Sequence, residues 1–128
     1  MSIPTVLIAE DDSVIAMAIA GVLEAQGMRV SASVRTAEEG AAELRTGRPD
    51  VAVVDVALAD GSDGLDLVRA CAAAGTPALV VSGHLSAQDA MAAGAAGFLA
   101  KPFDYLELAA EVRRMLARDP IAGAPLTV

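Results

Sequence analysis

The chain has 128 residues, the usual size of one domain, and 55% of them are hydrophobic, so it can bury a sizeable core. Aromatic residues make up only 2%, so that core must be built from aliphatic side chains. The formal net charge of −8 argues against direct binding of DNA or RNA, which needs a basic footprint, and against an anionic membrane surface.

Neither a disulfide framework nor a membrane segment is predicted. The one cysteine, Cys71, falls in a predicted helix and has no partner in the chain, which suits a reducing compartment. Glu10 interrupts the first apolar run after a few residues, which fits neither a signal peptide nor a transmembrane helix. We therefore expect a cytoplasmic protein.

The first third of the chain alternates strands with amphipathic helices. Residues 5–9 predict a buried strand, residues 13–26 a helix, and residues 28–33 an edge strand, because its apolar residues alternate with polar ones. Thr36 and Glu39 have the spacing of a capping box at the start of a second helix. The apolar faces comprise Ile15, Ile19, Val22 and Leu23 in the first helix, and Ala37, Ala41 and Leu44 in the second.

A valine-rich run at residues 51–54 predicts a fully buried central strand that begins near Pro49 and ends at Asp55. In open α/β sheets the ligand crevice lies outside the carboxyl ends of the strands, so a carboxylate in this position indicates a site. The alternative is that Asp55 merely begins a turn, where aspartate is common.

The rest of the chain continues the alternation. Its predicted elements are a helix ended by Gly75, a strand at 77–81, a helix of small residues at 86–93, a strand at 97–100 and a last helix capped by Asp104. The apolar faces comprise Leu65, Val68 and Ala72 in the third helix, and Leu108, Val112 and Met115 or Leu116 in the last. Five strand–helix units imply a mainly parallel sheet with helices on both faces. Residues 119–128 are expected to be extended or disordered.

Chemically distinctive residues follow four of these strands, and such ends converge at one edge of a doubly wound sheet. They are Glu10-Asp11-Asp12, Asp55, Ser82 and Lys101-Pro102. Carboxylates held together repel unless a cation is present, and an all-oxygen ligand set suits Mg²⁺. A lysine and a hydroxyl beside that metal would suit a phosphoryl group, which an aspartate can accept as an acyl phosphate.

Four motifs together resemble the receiver domain of two-component response regulators, over about residues 4 to 118. They are VLIAEDD at 6–12, VVD at 53–55, VVSG at 80–83 and GFLAKPF at 97–103. The resemblance implies a flavodoxin-like, doubly wound five-stranded parallel sheet, (βα)5, with strand order 2-1-3-4-5. It places the receiver domain at residues 1–118 and a short tail at residues 119–128.

The resemblance also assigns roles to the residues at the strand ends. Asp55 is implied as the phosphoacceptor, and Mg²⁺ would be bound by Glu10, Asp11, Asp55 and the backbone carbonyl of Ala57. Asp12 is expected to start the helix instead. The remaining implied roles are a phosphate-binding Lys101, a switch hydroxyl on Ser82, an aromatic switch residue at Phe98 and a cis peptide bond before Pro102.

The sequence departs from the family pattern in three places. Ala59 stands where family members often have proline, and the loop at residues 59–64 looks one residue longer than the common form. Phe98 replaces the more frequent tyrosine, so it has no polar tip. His84 follows the fourth strand and is expected to be an ordinary loop residue.

A receiver implies a histidine kinase or histidine phosphotransfer protein as phosphodonor and an unidentified downstream protein as target. The residues after Arg118 are too few for an output domain. A homodimer through the fourth helix, fifth strand and fifth helix is a further expectation. Val14, Met17 and Ala18 lie off the apolar face of the first helix and form a candidate docking patch for the donor.

The sequence leaves other functions open. Phosphohydrolases of the haloacid-dehalogenase type carry a second aspartate two residues after the nucleophile, where this chain has Ala57. A pseudo-receiver that only binds proteins would not need the site residues, so their presence counts against this alternative. They are Glu10, Asp11, Asp55, Ser82 and Lys101. A dinucleotide-binding fold would need a glycine-rich turn where this chain is acidic. The chain could also be a fragment of a larger regulator or hybrid kinase.

Overall fold

Five parallel strands form one sheet in the order β2-β1-β3-β4-β5, with helices on both faces. The structure is a computed structural model and describes residues 3–117, so the predicted tail at 119–128 lies outside the described residues. The strands are β1 (Thr5–Ala9), β2 (Arg29–Val34), β3 (Val51–Asp55), β4 (Ala78–Ser82) and β5 (Gly97–Ala100). The helices are α1 (Ser13–Ala25), α2 (Ala37–Thr46), α3 (Gly64–Ala74), α4 (Ala87–Ala92) and α5 (Tyr105–Ala117). The predicted strand order and fold class are confirmed.

The core has two halves because successive side chains of a strand point to opposite faces of the sheet. In β1, Val6 and Ile8 pack in the half covered by α1 and α5, whereas Leu7 and Ala9 pack in the half covered by α2, α3 and α4. All five residues of β3 and all five of β4 are buried. The inner strands β3 and β4 are thus fully enclosed, and for β3 the unbroken apolar run before Asp55 predicted this.

The apolar face predicted for α3 was right at Val68 and wrong at Ala72, and Leu65 is only partly buried. Leu67, Val68 and Cys71 are buried, whereas Ala72 is exposed. Gly64, Leu67, Val68 and Cys71 follow one another at helical spacing, and Ala72, the next position of that pattern, lies at its solvent-facing edge. Strand β2 also begins and ends one residue later than predicted, and its alternating exposure confirms it as an edge strand.

The helix starts follow the predicted caps. The Asp12 carboxylate accepts the backbone N–H groups of Val14 and Ile15 at the start of α1, so its predicted place at the helix start is confirmed. Thr36 and Glu39 form the reciprocal hydrogen bonds of a capping box at α2. These caps fix where each helix leaves the carboxyl edge of the sheet.

A short 3₁₀ helix (Ala59–Gly61) occupies the loop between β3 and α3. At the end of that loop Gly64 lies against the backbone of β3, and its N–H donates to the Val56 carbonyl at 2.8 Å. A Cβ on Gly64 would lie 2.2 Å from the carbonyl oxygen of Asp55, so only glycine fits. Among the helices of residues 3–117, none has the length and hydropathy needed to cross a bilayer.

Candidate functional site

Asp55 and Lys101 form an ion pair at the carboxyl edge of the sheet. Asp55 is buried at the end of β3, its Oδ1 accepts the Ala57 N–H at 3.0 Å, and its Oδ2 accepts the Lys101 Nζ at 2.6 Å. Burial alone would lower the pKa of the Lys101 amine, but the hydrogen bond and charge of Asp55, with the charge of Glu10, outweigh it and raise that pKa. Lys101 is therefore an ammonium at neutral pH.

Glu10 lies beside this pair and is almost completely buried. Its Oε2 accepts the Asp12 N–H at 3.1 Å, whereas its Oε1 is 3.6 Å from Lys101 Nζ and accepts no hydrogen bond from any described residue. Burial raises the pKa of the Glu10 carboxyl; the Asp12 N–H lowers it, and neighbouring Asp55 adds to the rise. The site thus contains two acidic side chains, Glu10 and Asp55, and one basic side chain, Lys101.

Ser82 ends β4 and shapes the turn beyond it. Its Oγ accepts the backbone N–H groups of His84 at 3.1 Å and Leu85 at 2.9 Å, and its carbonyl accepts the Lys101 N–H at 2.8 Å. A cavity of about 250 Å³ opens here, which is enough for a phosphoryl group. Its lining comprises residues 55–57, residues 82–85 and Lys101. A larger groove of about 1460 Å³ lies at the opposite edge of the sheet and contains none of these side chains.

Asp11 is turned away from the other carboxylates. Its Oδ1 lies 3.1 Å from Arg35 Nη2, and both side chains are largely exposed. Within residues 3–117, no three histidine, cysteine, aspartate or glutamate side chains are arranged to hold a metal ion. The structure therefore brings Glu10 and Asp55 together around Lys101 and leaves Asp11 at the rim.

The residues present fit a divalent cation. The orphaned Oε1 of Glu10 is a buried acceptor without a hydrogen bond from the described residues, next to a second carboxylate on Asp55. A buried oxygen that accepts no hydrogen bond is costly, the Lys101 charge at 3.6 Å compensates it only in part, and a hard cation would satisfy it. Asp11 is within the same acidic turn, and Ala57 is exposed at the mouth of the cavity. All of these donors are oxygen atoms, the ligand type that Mg²⁺ takes.

Phe98 lies on β5, and Pro102 follows that strand directly after Lys101. Phe98 is half-buried and packs at the edge of the core half that also contains Leu85 and Ala90. The Lys101–Pro102 peptide bond is cis. Phe98 and Ser82 are thus on neighbouring strands. Leu85 donates its N–H to Ser82 Oγ and packs in the same core half as Phe98.

Arg35 is a residue of the site that the sequence did not predict, and His84 lies closer to the site than the sequence predicted. Arg35 directly follows β2, and its position after a strand at the same sheet edge was the signal that could have identified it. His84, expected to be an ordinary loop residue, is exposed and lines the cavity. The direction of a long arginine side chain depends on tertiary contacts, which strand periodicity does not report.

Comparison with known proteins assigns this geometry to a family. The family model described as the response regulator receiver domain matches residues 6–113, which is most of the chain. The KDP operon transcriptional regulatory protein KdpE of Escherichia coli is 36% identical over 124 residues, covering 94% of this chain and 54% of KdpE. The acid tolerance regulatory protein ActR of Rhizobium meliloti is 36% identical over 116 residues, covering 86% of this chain and 59% of ActR. The chain spans a little over half the length of these relatives.

Solved structures show the same fold. A CheY-like receiver domain protein from Methanospirillum hungatei is 27% identical, with a TM-score of 0.82, and the match covers 91% of this chain and 96% of that one. The receiver domain of the Francisella response regulator 1452 is 28% identical, with a TM-score of 0.81, over 90% of this chain and 98% of that one.

Proposed function

The chain belongs to the response regulator receiver family of two-component systems, and we propose that its Asp55 accepts a phosphoryl group from a phosphohistidine donor in a Mg²⁺-dependent reaction. The observation that carries this proposal is the Lys101 ammonium 2.6 Å from Asp55 Oδ2, at a cavity of about 250 Å³. A buried carboxylate beside a fixed cation at a strand end is suited to receive an incoming phosphoryl group.

In the proposed transfer, a carboxylate oxygen of Asp55 attacks the phosphorus of the donor. A phosphorus–oxygen bond forms, the phosphorus–nitrogen bond breaks, and the electron pair returns to the donor imidazole, which takes up a proton. The product is an acyl phosphate on Asp55. Lys101 moves from the carboxylate to a phosphoryl oxygen as a point charge, and the Ser82 hydroxyl donates to another.

The proposed metal ligands are Glu10, Asp11, Asp55 and the Ala57 backbone carbonyl. The Mg²⁺ ion supplies charge neutralisation for the phosphoryl oxygens when it is bound. Glu10 contributes a buried oxygen that accepts no hydrogen bond from the described residues, so binding a cation there removes a cost that the metal-free site carries. Asp11 is held by Arg35 through its Oδ1, and we propose that it leaves this contact to join the set.

Ser82 is proposed to transmit the phosphorylation state. Its Oγ accepts the N–H groups of His84 and Leu85, so moving it toward a phosphoryl group breaks the hydrogen bonds that hold the turn before α4. Leu85 packs in the same core half as Phe98. Release of that turn would let Phe98 rotate inward and change the face formed by α4, β5 and α5.

The donor is proposed to dock on α1. Val14 and Met17 are each 73% exposed and lie in the first two turns of α1, directly after the acidic residues at 10–12. An apolar patch beside the reacting carboxylate suits a helix of a histidine kinase or phosphotransfer protein. Because the relatives are named as regulators and are longer than this chain, the output is proposed to pass to a downstream protein or another domain through the α4-β5-α5 face.

The test is intact-protein mass spectrometry after incubation with acetyl phosphate and Mg²⁺. We expect one phosphoryl adduct, absent in Asp55→Asn and absent when EDTA replaces the metal. An adduct that persists in Asp55→Asn would overturn the assignment of the acceptor. Absence of both an adduct and Mg²⁺ binding in the wild type would favour a pseudo-receiver that only binds proteins.

A further inference from the structure

Arg35 is fixed at the rim of the site by its backbone. It follows Val34, the last residue of β2, whose carbonyl accepts the Glu10 N–H at 3.0 Å, so the ends of β1 and β2 lie side by side. The Arg35 N–H donates to Glu39 Oε1 at 2.9 Å, and its carbonyl accepts the Ala59 N–H at 2.8 Å. These bonds tie Arg35 to the α2 cap and to the loop after Asp55.

From this position the side chain reaches Asp11. Arg35 Nη2 lies 3.1 Å from Asp11 Oδ1 in a single charge-assisted hydrogen bond, with the two side chains 68% and 47% exposed. Exposed pairs of this kind are weak, so the bond can be broken by a competing cation.

We propose that Arg35 is a positioning residue that competes with Mg²⁺ for the Asp11 carboxylate and thereby sets the metal affinity of the site. This inference rests on the proposed function, because Asp11 is a ligand only if the site binds Mg²⁺. Both cations need the same carboxylate, so the energy of the Arg35 contact is subtracted from the free energy of metal binding. Without metal, the Arg35 guanidinium keeps the Asp11 side chain away from Glu10 and Asp55. When Mg²⁺ binds, Asp11 moves to the metal and the guanidinium stays at the rim without this partner.

The experiment measures Mg²⁺ affinity of the whole chain by titration, following backbone amide chemical shifts around Asp55. Arg35→Ala should bind Mg²⁺ about two- to five-fold more tightly, the range expected for loss of one exposed ion pair. Arg35→Lys, which keeps the charge without the planar fork, should lie between Arg35→Ala and the wild type. Because the Arg35 side chain is exposed, these variants are expected to fold.

Arg69→Ala is the matched control. Arg69 forms a similar exposed pair with Asp66 on α3, at 2.9 Å, so the variant makes the same change in net charge without touching Asp11. It should leave the Mg²⁺ affinity unchanged. In an Asp11→Asn background, the Arg35→Ala substitution should have no further effect, because the shared carboxylate is gone.

Three results would overturn the inference. Wild-type Mg²⁺ binding with no gain in Arg35→Ala would remove it while leaving the proposed function intact. An equal gain in the Asp11→Asn background would show a long-range charge effect instead of competition for Asp11. Failure of the wild type to bind Mg²⁺ at all would remove both this inference and the metal dependence of the proposed function.

Discussion

Lys101 Nζ lies 2.6 Å from Asp55 Oδ2, although 46 residues separate the two in the chain. The contact joins the ends of β3 and β5, with β4 between them in the sheet. Glu10 approaches the same ammonium from β1 at 3.6 Å. One lysine therefore holds two buried carboxylates, and removal of its charge has a measurable cost.

We expect Lys101→Met to lower the free energy of unfolding by about 1–3 kcal/mol in metal-free buffer, because Asp55 and Glu10 lose their shared cation. The loss is smaller than for a fully buried pair because the lysine side chain is 27% exposed. Urea unfolding at pH 7 measures it, and added Mg²⁺ should reduce the difference, since a bound ion stabilises the folded state. Equal stability of the two proteins in EDTA would show that the carboxylates do not depend on Lys101.

Met17→Asp should slow phosphoryl transfer from a cognate kinase or phosphotransfer protein and leave phosphorylation by acetyl phosphate unchanged. The side chain is 73% exposed and points away from the core, so the substitution changes the docking surface and not the fold. Rates from the two donors, compared by mass spectrometry, separate docking from chemistry. Equal slowing with both donors would refute a docking role for α1.

Gly64→Ala should lower the free energy of unfolding by about 3 kcal/mol, because the new Cβ would lie 2.2 Å from the Asp55 carbonyl oxygen and 2.6 Å from the Val56 Cα. Both atoms belong to the backbone and cannot rotate aside. Gly21→Ala is the matched control: no atom lies within 4 Å, and alanine in the exposed middle of α1 should add up to about 1 kcal/mol. Urea midpoints of the two variants should therefore move in opposite directions.

The α2 cap predicts a pH dependence. The hydrogen bond from the Arg35 N–H lowers the pKa of the Glu39 carboxyl below its ordinary value. Desolvation partly opposes this shift, and hydrogen bonds from the Thr36 N–H and hydroxyl add to it. A lowered folded-state pKa means that ionised Glu39 stabilises the fold above its unfolded-state pKa, and this contribution is lost as the pH falls through the folded-state pKa. The stability difference between the wild type and Glu39→Gln should therefore shrink as the pH falls below the ordinary glutamate pKa of about 4.3.

Urea unfolding as a function of pH measures this difference. Thr36→Ala is the control for the uncharged half of the cap; it should cost about 1 kcal/mol with little dependence on pH. A constant difference between wild type and Glu39→Gln across the acid range would contradict a role for the Glu39 charge.

Local patterns identified most of the fold. The caps at Asp12, Thr36 and Asp104 were predicted because capping depends on residues only a few positions apart. The error in α3 arose because leucine, valine, cysteine and alanine are all apolar enough to define two adjacent stripes. Packing on the sheet selected the stripe that contains Cys71 and left Ala72 exposed.

The sequence by itself determined the alternation of strands and helices and the residues at the strand ends, because periodicity, turn residues and strand termini are local properties of the chain. The tertiary structure decided which side chains meet: Lys101 between Asp55 and Glu10, and Asp11 on Arg35. Those contacts join residues that are distant in the chain. They depend on strand order and on how buried and exposed charges find partners, which no local pattern encodes.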